Sequence, residues 1–120
     1  MKIAIAIALL TAACSPATMR HTLHHIALGT EIAAQGSLVC DASSTHMAIE
    51  LGGHEQNLVM GDHPGDGMIA GYFLASSAAV YGVNRVLPDA LRIILNTVIV
   101  GAEIAAVQGN SSWGTPACGL

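Results

Sequence analysis

Glu55-Gln-Asn-Leu-Val-Met-Gly-Asp-His-Pro64 is a polar corner broken by glycine and proline, and the two most apolar segments of the chain follow it. They run from about Met68 to Leu87 and from about Ala90 to Val107, with Pro88-Asp89 between them. Corner and segments read as a small helical unit held in a membrane. The chain has 120 residues, room for one domain, and it is 52% hydrophobic with only 10% charged. An average soluble domain is about 25% charged, so too few charges are present to cover a water-facing surface. A net charge of -4 with four Lys and Arg residues offers no basic patch, which argues against nucleic-acid binding.

Upstream, Met1-Lys-Ile-Ala-Ile-Ala-Ile-Ala-Leu-Leu-Thr-Ala-Ala-Cys14 places one basic residue before a short apolar run that ends in small residues. This is the pattern of a secretory signal, too short to span a bilayer. Residues 1–13 therefore read as a lipoprotein-type signal peptide. Cys14 is the expected lipidation site, because Ala12-Ala13 before it resembles a bacterial lipobox, although Thr11 stands where that motif favours leucine. Residues 14–18 are a tether, 19–109 a three-helix membrane-associated domain, and 110–120 an irregular tail.

From Met19 to about Gly52 no proline intervenes, and Leu23, Ile26, Ala27, Ala33 and Ala34 recur at helical spacing. Thr18 is a plausible N-cap. Thr30, Ala34, Ser37, Asp41, Thr45 and Ala48 fall at steps of three and four, giving this long helix a small, polar face. Gly52-Gly53 should end it. Asp66 is an acceptable cap for the second helix, and Leu87-Pro88 ends that helix because the residue before a proline disfavours helical geometry. The fold class expected is thus all-α: signal segment, one long amphipathic helix, then a hydrophobic, transmembrane two-helix hairpin.

Two small-residue stripes, Gly71-Ala75-Ala79 and Gly101-Ala105-Gly109, would let the helices of that hairpin approach closely in lipid. Asn96 and Glu103 lie seven apart on one face of the third helix. A glutamate near the centre of such a helix costs about 2.5 to 3.5 kcal/mol on insertion scales, so Glu103 should face protein or water rather than lipid. Asp41, Thr45, Glu55, Asn57, Asn96 and Glu103 are the expected members of a buried polar network. It would fix the register of three helices or, alternatively, hold a proton or a cation between carboxylates. Arg85 and Arg92 flank the turn between the apolar helices, and the positive-inside rule puts that turn in the cytoplasm. The corner, the tail and the start of the mature chain are then expected outside. Cys40 and Cys118 are able to pair in an oxidising compartment, while Cys40 would equally serve as a small buried residue.

The succession Asp41-x-x-x-Thr45, Glu55-x-Asn57, Met60-Gly61, His63-Pro64, Tyr72-Phe73, Leu87-Pro88, Leu91-Arg92, Gly101-x-Glu103 and Asn110 resembles a group of small lipoprotein-like membrane proteins of bacterial genomes and their phages. Leu58 and Gly65 depart from the proline and serine usual there. The resemblance implies an architecture and no mechanism.

No constellation for nucleophilic catalysis, no phosphate loop and no zinc Cys-x-x-Cys is visible, so no catalytic residue, metal or cofactor is expected. His21, His24 and His25 stand at the spacing at which two imidazoles on one helix face can share a metal, with a solvated histidine cluster as the plainer reading. His54 and His63 bracket the corner and could join Glu55 or Asp62 in a site. The function expected is that of a small bacterial or phage-encoded envelope lipoprotein with a structural or interaction role. Its partners would be membrane lipid and another envelope protein or a second copy, and not nucleic acid. The alternatives are an ion- or proton-binding membrane module, or a soluble periplasmic helical domain held by its lipid.

Overall fold

The computed structural model describes residues 16–55, 57–116 and 118. The expected signal peptide and the expected lipidation site Cys14 lie outside the described residues. Three helices account for most of the rest: α1 (Pro16–Glu50), α2 (Asp66–Val86) and α3 (Asp89–Ser111). All-α architecture follows the sequence reading, with α1 starting two residues before Thr18 and α3 running a turn beyond Val107.

The terminators act as their chemistry requires. At the end of α1 the Gly53 amide reaches the Ala48 carbonyl (2.8 Å) and the Gly52 amide reaches Ile49 (3.0 Å), the paired bonds of a glycine-terminated helix. Gly52 takes a positive φ of 86°, and Gly53 is required for a different reason. A Cβ there would stand 2.8 Å from the Ala48 oxygen and 3.1 Å from the Trp113 ring, so the tail can close over this corner only on a glycine. Leu87 leaves the helical region (φ -84°, ψ 144°) as its following proline demands. Asp66 is the first residue of α2 rather than its cap. Gly65 takes the cap position with no side-chain bond, and the Asp66 carboxylate meets His46 at 3.2 Å.

α1 is the centre of the molecule. Along it Ala27, Glu31, Ala34, Leu38, Asp41, Thr45 and Ala48 are buried, spaced 4-3-4-3-4-3, the interval of a coiled-coil seam. α3 runs parallel to α1, with Asp89 beside His24 and Asn110 beside Asp41 and Ser44. α2 runs antiparallel, with Asp66 beside His46 and Arg85 beside Glu31. The expected hairpin is therefore corrected: both helices pack on α1, and they meet each other through little beyond one asparagine pair near the elbow at Leu87-Pro88. The small-residue stripes do not interlock. Gly71, Ala75, Ala79, Gly101 and Ala105 are exposed, and a Cβ built on Gly71 or Gly101 meets nothing within 4 Å.

The apolar core is small: Leu38 from α1, Met60 from the corner, and Ile69 and Phe73 from α2. Most large apolar side chains point away from it. Val39, Leu74, Val86, Ile94 and Val98 are each between 60% and 79% exposed, while Glu31, Asp41, Ser44, Asn84, Arg92 and Asn96 are buried. Among the described residues α3 alone is long and apolar enough to cross a membrane, with only 17% of its most apolar stretch buried in the chain. The same property expected of α2 does not extend to it.

Cys40 and Cys118 are joined by a disulfide, Cα atoms 5.6 Å apart, which ties the tail to the middle of α1 across 78 positions. Loop-closure entropy gives such a bond about 2 to 4 kcal/mol. Cys118→Ser is expected to lower stability by that amount, and reductant should shift the wild type and not the variant. Thermal unfolding in detergent, with and without reductant, checks it.

Candidate functional site

The polar residues foreseen as one network separate into two clusters along the seams of α1. Arg92, Asn96, Glu103 and Asn110 repeat on the inward face of α3 at helical spacing, and each meets a different part of α1 or α2.

Near the elbow, Glu31 of α1 accepts from both arginines. Arg92 Nη2 lies 2.7 Å from its Oε2, and Arg85 of α2 binds both of its oxygens. Arg92 Nη1 also reaches Asp89 at 2.8 Å, one turn earlier in α3. Beside these ions Asn84 and Asn96 exchange amide bonds of 3.0 and 2.9 Å. The Asn84 amide donates in addition to the Val80 carbonyl (2.8 Å). Both asparagines are essentially inaccessible, at 2% and 0% exposure. Buried amides and ions require such partners, because each unmet donor or acceptor costs about 1 to 3 kcal/mol. One acid, two cations and two amides thus join three helices at a single level.

Toward the tail lies the second cluster. The Asn110 amide donates to Asp41 Oδ1 (3.2 Å), Ser44 Oγ (2.9 Å) and Thr45 Oγ1 (3.1 Å). The Asp41 and Glu103 carboxyl groups are neighbours across the seam between α1 and α3. The second oxygen of Glu103 is buried with no hydrogen-bond partner. A cavity of about 140 Å³ adjoins the pair, lined among others by Asp41, Thr45, Glu55, Asn110 and Trp113. Another of about 150 Å³ is lined by Glu103, Ile104, Val107, Cys40 and Cys118. Corner and disulfide-held tail together form the lid of this cluster.

Asp41, Thr45 and Glu103 are therefore brought together, with Glu55 at the edge. Asn96 is not: it sits seven residues before Glu103, about 10 Å along the helix axis, in the elbow cluster. Asn57 is not either. It shapes the corner, its side chain accepting the Val59 amide at 3.0 Å and its own amide donating to the Glu55 carboxylate at 2.8 Å. His54 and His63 stack against each other at 4.6 Å, with Trp113 at 6.2 Å from His54. Sequence reasoning missed Glu31, Asn84, Ser44 and Asn110, and read Arg85 and Arg92 only as topology markers. The repeat of Arg92, Asn96, Glu103 and Asn110 on one face of an apolar helix was the signal that could have found the two clusters.

Comparison with protein-family models, with curated proteins and with solved structures finds no match for this chain.

Removing Glu31 leaves Arg92, whose side chain is 8% exposed, without its buried counter-ion. Breaking a buried pair from one side costs about 3 to 5 kcal/mol. Glu31→Ala should lose that much stability by denaturant titration in detergent, and Glu31→Ala with Arg92→Met should recover part of it.

Proposed function

We propose that this chain is a small integral membrane protein with a structural or interaction role, whose outer faces meet lipid and partner helices. The observation that carries the reading is the inverted distribution of side chains. Charges and amides fill the helix seams, while valine, leucine and isoleucine face outward. In water that arrangement forfeits roughly 25 cal/mol for each Å² of apolar surface left exposed. In lipid the same arrangement is favourable, because polar groups must be satisfied internally. The apolar length of α3 and the open Gly101-Ala105-Gly109 stripe support the same reading.

The sidedness expected from the sequence needs revision. α1 and α3 are parallel, so the start of α1 lies at the elbow end and the tail at the other. A spanning α3 then separates them, and they cannot both be outside. Charge decides the orientation: Arg20, Arg85 and Arg92 gather at the elbow end. Asp41, Glu50, Glu55, Asp62, Asp66 and Glu103 belong to the other half of the molecule. The positive-inside rule places the elbow in the cytoplasm and the disulfide-bearing end outside.

The test uses Cys14→Ala protein in intact cells. Alkaline carbonate should leave it in the membrane pellet. An impermeant maleimide should label Ser112→Cys and spare Leu87→Cys. Release by carbonate, or labelling at Leu87→Cys alone, overturns the reading.

A second reading, proton binding, is favoured by the neighbouring Asp41 and Glu103 carboxyls, since Arg85 and Arg92 are both committed to Glu31. A hydrophobic carbodiimide, which attacks a protonated carboxyl, should then modify the wild type at neutral pH. Glu103→Gln should lose the modification and keep the helical circular dichroism spectrum. An unmodified wild type contradicts this second reading.

A further inference from the structure

We infer that His21 and His25 form a binding site for a divalent transition metal of the zinc class, on the first turns of α1 beside the elbow. The two residues are one helical turn apart, and their rings converge with centroids 4.4 Å apart. Their Nε2 atoms lie 3.3 Å from each other. A tetrahedral metal with imidazole nitrogens at about 2.0 to 2.1 Å separates them by roughly 3.3 to 3.4 Å. The helix therefore holds both donors already at the edge length of a coordination tetrahedron. In the free chain the same approach is a hydrogen bond between the two imidazoles, one ring donating and the other accepting, and a metal would replace the shared proton.

Both histidines are exposed, so a metal can enter without unfolding anything. His24 is engaged elsewhere: its Nδ1 faces Asp89 of α3 at 3.4 Å, and its ring lies 6.2 Å from that of His25. Arg20, His24 and Asp89 are the other ionisable groups lining the hollow that includes His21, whose volume is about 570 Å³. Two positions of the tetrahedron remain for water or for a ligand from another molecule. Among the described residues no group of three or more histidine, cysteine or carboxylate side chains converges, so the chain supplies two ligands and the site is open. Imidazole selects zinc, copper and nickel over magnesium and calcium. The proposal is independent of the membrane reading.

Zinc chloride titrated calorimetrically into the Cys14→Ala protein in detergent, without reductant, tests it. One zinc per chain should bind. His21→Ala and His25→Ala should each weaken binding by at least about tenfold, while His24→Ala leaves it within about twofold. Lowering the pH from about 7.5 to about 5.5 should weaken it, because a protonated imidazole has no lone pair left for the metal. Both histidines are on the surface, so circular dichroism should be unchanged in every variant. Absence of binding at about 1 mM zinc, equal binding by His21→Ala, or an equal loss in His24→Ala overturns the proposal.

Discussion

Glu31 is the single acid that two arginines from two other helices both require, and the arrangement of the three helices depends on it. Arg85 approaches from α2 and Arg92 from α3, while the Asn84–Asn96 pair closes the gap between those two helices. Apolar packing cannot set this geometry, because α2 and α3 share almost no apolar contact and the apolar core among the described residues lies between α1, α2 and the corner. Directional bonds do what close packing does in a soluble bundle. An ion triad with few acceptable geometries fixes register more sharply than interchangeable methyl groups, and the heptad-like seam of α1 then extends that register along the helix.

Placing polar groups inside has a consequence for the corner and tail. α3 carries Glu103 and Asn110 toward a level where no arginine is available, so the Asp41 carboxylate there accepts from the Thr45 hydroxyl and the Asn110 amide. Keeping water from that level requires a cover. The cover is built from Trp113 lying on Gly53, from the stacked His54 and His63 rings, and from the bonded Cys118. Loop and tail sequences with little helical propensity become ordered because they close over the polar end of the seam.

Helix existence and ends were legible because glycine and proline act locally: Gly52-Gly53 and Leu87-Pro88 stop helices whatever surrounds them. The polar face of α1 was legible too, since Ala34, Asp41, Thr45 and Ala48 share a period. Partner choice was not. Small-residue stripes state that a close neighbour is permitted without saying which one, and among the described residues no helix packs closely on the stripes of α2 and α3. Glu31 escaped notice because its partners lie 54 and 61 positions away. Asn96 was assigned to the wrong cluster because a shared helix face does not reveal depth along the axis.

The disulfide turns the linear chain into a lasso. Residues 40 to 118 form a covalent ring that holds the second half of α1, the corner, α2, α3 and the tail. The first half of α1, from Pro16 to Val39, lies outside that ring and is held to it noncovalently, by Glu31, by the Gln35–Ser77 bonds, by the His24–Asp89 contact and by buried Ala27, Ala34 and Leu38. A pull on the N-terminus therefore meets two bonds of very different character. The noncovalent one can open and let α1 peel outward from its start, while the ring stays closed and keeps α2 and α3 in place for it to return to.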